Sequence, residues 1–288
     1  MASVEYWQGK ALPKHIERVA DSEGLSVLPH CTAIRFGRKM SCGKTAPFSA
    51  TCVVTQGAPG WNVGSEVDVV IKASNGRQMR PEQFLAEAYG NALAQTLGVL
   101  APEACLVELT SSFLSAAEAN GQLPLGYSCG GAVGTAQILP GLSPWVKGSK
   151  LRAVEVSAAA DLYAFDQLTY NIDRTHDHPN CGRQAGRLVA FDFEMCFGQT
   201  LPPPPQIWEV TNLSPHWAHL FRTALKGRNP SFQAFLHKLS GISDEQLRGL
   251  ADGLPSAWCG TLERVIDHVK AFRDHSDEFV KELRWSVQ

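Results

Sequence analysis

Between residues 171 and 180 the chain reads NIDRTHDHPN, and after GRLVA it continues FDFEMCF. Asp173 stands beside Asn171 and Arg174 at the end of an apolar, helix-like run, and Asp192 lies inside a strand-like run. A short hairpin-like connection between them can return both carboxylates to one face. Two acids facing one point can hold a magnesium ion against a phosphate, because magnesium prefers a few carboxylate oxygens completed by phosphate oxygens and water. One acid then carries the metal and the other orients a hydroxyl. An isolated loop aspartate is usually inert; what raises Asp173 is its company, which includes Asn180 in the same loop.

A second pair faces the same chemistry from an earlier part of the chain. Lys72 ends the run VDVVIK, where alternate side chains share a face, and a lysine at the end of an apolar strand needs a partner. Glu87 follows fifteen residues later, at the flank of a predicted helix's apolar face. Taken singly, the two read as a snorkelling lysine and a solvated glutamate. Together with Asp173 and Asp192 they match the way protein kinases aim an ammonium group at the α- and β-phosphates.

Other motif-like stretches are weaker. GRKMSCGKT, residues 37–45, places five residues between Gly37 and Gly43, where a P-loop requires four. It reads as a turn between two strands. Either its amides, with Gly43 and Lys44, cover phosphates as a kinase glycine loop does, or it is a solvated turn carrying Arg38, Lys39 and Lys44. His176, His178 and Cys181 suggest zinc, but no second cluster supplies a fourth ligand. The sequence contains no HExxH helix or GxGxxG fingerprint.

The elements that must position these residues follow from periodicity. Residues 28–74 are rich in β-branched residues and turn formers and predict an antiparallel meander. RPEQFLAEAYGNALAQTLG predicts a helix, with Pro81 in its first turn, Gly98 at its stop, and Phe84, Leu85, Ala88, Ala92 and Leu93 on one face. APEACLVEL and GAVGTAQIL predict two more strands. Pro and Gly concentrate in LPGLSPWVKGS, residues 139–149, which marks the change from strands to helices. VEVSAAADLYAFDQLTYN then predicts a helix, and Leu262, Val265, Ile266, Val269, Phe272, Phe279, Val280 and Leu283 form a core-facing helical stripe. SDEQ at 243–246 has the capping-box pattern, and the stretch at 208–221 reads as packing. The expected class is α+β with two lobes: residues 1–140, sheet-rich with one helix, and residues 141–288, helical and carrying the acidic loops.

Composition sets the bounds. With 288 residues, 44% of them hydrophobic, the chain can bury a large core. A formal charge of −2, from 26 basic and 28 acidic side chains, gives no overall field for nucleic acid or an anionic membrane. Any anion must therefore be held locally. Eight scattered cysteines without a CxxC pair suit reduced thiols, and no signal peptide or membrane-spanning run is visible, so a cytoplasmic protein is expected.

NIDRTHDHPN followed by LVAFDFEMCF resembles the catalytic and metal loops of the HipA-like kinase families, whose loop has the form NxDRTxxNPN before a strand ending in aspartate. VVIK and LAEAYGNALAQTLGVLAPEACLVEL resemble that family's lysine strand, helix and next strand, and the similarity covers roughly residues 60–200. The resemblance implies a two-lobed protein-kinase-like fold, ATP and Mg2+ as cofactors, and γ-phosphoryl transfer to a hydroxyl acceptor such as a protein serine or threonine, its own included. It assigns Asp173 as general base, Asp192 as magnesium ligand, Lys72 as the phosphate-contacting lysine and Glu87 as its ion-pair partner. Gly43, Lys44, Gln137 and Leu139 complete the expected nucleotide contacts. The first asparagine of the NPN piece is His178 here, so the second metal position falls to Asn180 or His178. Two alternatives stand beside this reading: an ATP-binding regulator without transfer, and a kinase of a small molecule or lipid headgroup, since NxDR also resembles phosphoinositide kinases.

Overall fold

The computed structural model describes residues 28–40, 45–74, 79–123, 127–136, 142–199 and 218–288. The predicted meander forms as β1 (His30–Lys39), β2 (Phe48–Gln56) and β3 (Glu66–Lys72), each antiparallel to its neighbour. β4 (Ala104–Leu109) and β5 (Gly130–Ala136) complete a closed barrel in the order β1-β2-β3-β5-β4, with β4 parallel to β1. Period-two alternation fills its interior: Phe48, Ala50, Cys52 and Val54 of β2 meet Val69, Ile71, Cys105, Val107 and Ala132. Gly134 lets β5 approach, since a Cβ there would lie 2.7 Å from Val107 Cγ2 and 2.8 Å from Cys105 Sγ.

Between β4 and β5 the chain forms α2 (Ser111–Ala119), a second helix where the sequence reading expected one helix in the whole sheet-rich part. Thr110 caps it, accepting from the Phe113 amide at 3.2 Å, and Phe113, Leu114 and Ala117 join the barrel core. The run is short, so burial against the barrel, added to the Thr110 cap, holds it as a helix.

α1 (Pro81–Thr96) forms as expected, with Pro81 in its first turn and Gly98 at φ +86° just past its end. It is buried almost all round. Leu85, Tyr89 and Leu93 enter the large C-terminal core, while Phe84 and Ala88 pack with Leu106, Val133 and Trp258. A helix gripped from two sides cannot rotate, so its polar side chains are held in fixed directions.

The C-terminal part opens with β6 (Ser143–Pro144) and α3 (Val156–Leu168), then the hairpin of β7 (Cys181–Gln184) and β8 (Arg187–Ala190). Helices Gln233–Gly241, Asp244–Gly249, Leu262–Asp274 and Ser276–Ser286 follow. The expected stripe is buried from Val265 to Leu283, with Leu262 at its edge, and both capping-box bonds of Ser243 and Gln246 are present. Two expectations shift. The helix expected to reach Asn171 stops at Leu168, where Tyr170 at φ +51° turns the chain. Asp192, expected inside a strand, lies two residues beyond β8 at φ +64°. No described helix is long and apolar enough to cross a membrane.

Candidate active site

The site is organised around one buried ammonium. Lys72, the last residue of β3, donates to Glu87 Oε2 at 2.8 Å and to Asp192 Oδ1 at 2.5 Å, and lies 3.1 Å from Glu194 Oε2. Glu87 reaches it from the middle of α1, only 1% exposed, and also accepts the Phe193 backbone amide at 2.7 Å. Thr45, between β1 and β2, donates to Glu194 Oε2 at 3.2 Å. Lys72 thus joins β3 to α1 and to the segment 192–194, and Thr45 adds a fourth part of the chain through Glu194. Burial pulls its pKa down, but attraction from Asp192, Glu87 and Glu194 outweighs that and holds it well above the ordinary lysine value. Burial pushes the Glu87 and Glu194 carboxyls up, opposed by the ammonium they share.

Asp173 sits in the loop between α3 and β7, half-buried where the sequence reading expected exposure. Its Oδ2 accepts from Asn180 Nδ2 at 3.0 Å and its amide donates to Asn171 Oδ1 at 3.2 Å. Asn180, at φ +43°, also accepts the Phe191 amide at 3.0 Å through its carbonyl. The two acidic loops are therefore joined through Asn180 and Phe191, the residue next to Asp192, and the hairpin β7–β8 closes the connection.

Beneath the loop lies a fully buried group. Asp166 of α3 accepts from Arg174 Nε at 2.7 Å, His219 Nε2 at 2.8 Å and Asn171 Nδ2 at 2.9 Å. Burial pushes the Asp166 carboxyl up, yet the Arg174 charge and the His219 hydrogen bond hold it below its usual value. Burial keeps His219 below its ordinary value and neutral, with Nδ1 accepting the Phe221 amide at 3.1 Å and Nε2 donating.

Of the residues expected from sequence, the structure brings Lys72, Glu87 and Asp192 into contact, and Asp173 with Asn180. His178 is exposed; its amide donates to Thr175 Oγ1 at 3.2 Å, and it is not among the three acids, Glu87, Asp192 and Glu194, whose oxygens lie within 4.8 Å of one another. Gly43, Lys44, Gln137 and Leu139 lie outside the described residues. Sequence reasoning missed Glu194, whose signal is its position two residues after Asp192, and Asp166, whose signal is a charge inside the apolar helix AFDQL. An oxygen-only donor set with Asp192 as its most open member, 26% exposed against 10% and 2%, suits a hard divalent cation.

The profile of the HipA-like kinases matches residues 35–276. This chain belongs to the HipA-like kinase family. It is accordingly a kinase, a phosphotransferase of a family that uses ATP and a divalent metal. No curated protein matches the sequence. Among solved structures it is similar to the Helicobacter pylori proinflammatory kinase CtkA, at 12% identity over 85% of this chain and 96% of that one, with a TM-score of 0.48. A chain of the complex of Neurospora crassa PAN2 (WD40-CS1) with PAN3 (pseudokinase and C-term) matches at 11% identity over 93% of this chain and 68% of that one, with a TM-score of 0.32.

Proposed function

We propose that this HipA-like kinase binds ATP and magnesium between a sheet-rich lobe, residues 1–140, and a helical lobe, residues 141–288. It transfers the γ-phosphoryl group to the hydroxyl of a protein serine or threonine, its own included. The observation that carries this reading is Lys72, a buried ammonium held at 2.8 Å by Glu87 of α1 and at 2.5 Å by Asp192 of the metal loop. The negative phosphates of a nucleotide are a natural partner for such a lysine.

In this site Glu87 fixes the lysine from behind while the ammonium meets the phosphates. Asp192 would hold the magnesium ion, with Asn180 or Glu194 as a second ligand; when bound, the ion neutralises charge on the phosphates. Asp173, steadied by Asn180, accepts a hydrogen bond from the acceptor hydroxyl and takes its proton as transfer completes. The family resemblance also assigns nucleotide contacts to Gly43, Lys44, Gln137 and Leu139, which lie outside the described residues. Positioning and charge neutralisation supply most of the rate, since phosphoryl transfer asks little covalent chemistry of the protein.

Purified protein incubated with ATP and magnesium should form ADP and a phosphorylated serine or threonine detectable by mass spectrometry. Asp173→Ala should lower turnover by about 10²-fold or more while leaving the nucleotide Kd within about twofold; equal turnover in the variant would remove Asp173 from the reaction. His178, standing where the family pattern has asparagine, favours a second reading in which the protein binds ATP as a regulator. Magnesium-dependent ATP binding by a wild type that forms no ADP would establish it.

A further inference from the structure

Asp166 touches neither Asp173 nor Asp192, yet one set of hydrogen bonds from the loops around both leads back to it. Its Oδ1 accepts from Asn171 Nδ2 at 2.9 Å, and Asn171 Oδ1 accepts the Asp173 amide at 3.2 Å. Its Oδ2 accepts from Arg174 Nε at 2.7 Å and from His219 Nε2 at 2.8 Å. Arg174 carries the connection further: its Nη1 donates to the carbonyl of Asn180, whose side chain holds Asp173, and to the carbonyl of Phe191 at 3.3 Å, next to Asp192.

The side chains of Asp166, Arg174 and His219 are all 0% exposed. A buried ion pair is a poor device for stability alone, because two apolar side chains of similar size often serve as well. This one directs its remaining bonds to the backbone of the Asp173 loop and of the segment leading to Asp192. Its base is firm, since Asp166 lies in the last turn of α3, whose residues from Leu162 to Leu168 are all buried.

We infer that Asp166 and Arg174 form a strut that sets Asp173 relative to Asp192, with Asp166 as a positioning residue for phosphoryl transfer. The catalytic part rests on the kinase reading above; the coupling of the two loops does not. Displacement of reacting groups by about 1 Å costs on the order of 10²-fold in rate, so the strut should act on turnover and leave nucleotide affinity nearly unchanged.

Two variants test it. Asn171→Ala cuts the link from Asp166 to Asp173 and leaves the ion pair whole; Asp166→Asn keeps the shape and removes the charge that Arg174 and His219 share. For each, the nucleotide Kd, kcat for ADP formation and hydrogen exchange of the backbone amides are measured. Asn171→Ala should lower kcat about 10- to 100-fold with Kd within about twofold, and raise exchange in residues 171–175. Asp166→Asn should lower kcat at least as far and raise exchange in residues 171–175 and 189–193 together, with Leu262–Asp274 still protected. A kcat for Asn171→Ala within twofold of wild type would overturn the positioning role, and exchange in Asp166→Asn that is confined to one of the two segments or spread over the whole chain would overturn the strut. If Asp166→Asn does not fold, Arg174→Lys, which keeps the charge but loses the Nη1 reach, decides the coupling by exchange in residues 189–193. If the wild type forms no ADP, the kinase reading falls, and the exchange experiment alone decides whether the loops are coupled.

Discussion

Replacing Lys72 by methionine removes the cation that touches three carboxylates at 2.5, 2.8 and 3.1 Å. At an effective dielectric near 20, each contact contributes roughly 5–7 kcal/mol of gross attraction before desolvation is counted. Without the ammonium, acids whose oxygens lie within 4.8 Å of one another repel. That repulsion does not appear in full, because the site can take up a proton instead. Holding a glutamic acid protonated at pH 7, against an ordinary value near 4.3, costs about 4 kcal/mol, and at pH 5 about 1 kcal/mol. The loss on mutation is therefore capped at about 4 kcal/mol per proton at pH 7 and shrinks toward pH 5. The sign follows from proton binding: a carboxyl raised in the folded variant binds more protons folded than unfolded, so stability rises as pH falls through the window above 4.3. Thermal unfolding at pH 7 and pH 5, beside wild type, should show a large deficit that mostly closes at the lower pH. Millimolar magnesium at pH 7 should close part of it too, since an ion bound only by the folded state stabilises by mass action. A Lys72→Met protein as stable as wild type at pH 7, and unchanged at pH 5 or with magnesium, would refute the picture of ionised acids gathered on this lysine.

Asp192→Ala should abolish the magnesium dependence of ATP binding in calorimetry, and a Kd that still tightens with magnesium would move the metal elsewhere. His178→Asn should change turnover by less than about threefold, because His178 is exposed; a tenfold gain in an ADP assay would return the metal position to residue 178. Burial pushes the Asp161 carboxyl up to about 6, against the opposing charge of Lys238, and its Oδ1 has no hydrogen-bond partner. Ionising it costs folded stability as pH rises from about 4 to 6, so Asp161→Asn should stabilise the protein at pH 7 by roughly 1–2 kcal/mol and flatten thermal unfolding across that window.

Elements with strong periodicity were legible in the sequence. The β1–β3 meander, α1 with its Pro81 start and Gly98 stop, the C-terminal stripe and the capping box at Ser243 all formed where alternation or helical spacing placed them. The Lys72–Glu87 contact was legible because a lysine at an apolar strand's end needs a partner and because the pair, taken with Asp173 and Asp192, matches the kinase arrangement of strand lysine and helix glutamate. The three-acid group was not, since its assembly depends on Asp192 at φ +64° and the turn that follows, a backbone reversal that pattern does not reveal. α2 was missed because nine residues between two strands carry too little period to declare a helix, and the barrel decides them.

The buried strut shows where the limit lies. Arg174 stands in a polar loop, where local composition implies a solvated guanidinium, yet it is 0% exposed. A guanidinium withdrawn from water must find acceptors, and Arg174 finds Asp166 eight residues back and carbonyls six and seventeen residues ahead. The nearer half of that arrangement was readable, because an aspartate inside AFDQL cannot stay buried without a cation, and the next arginine in the chain is Arg174. The farther half, with His219 fifty-three residues from Asp166, is set by tertiary packing alone. A buried charge in an apolar helix therefore announces that a partner exists, and the fold decides which loops that partner will bind together.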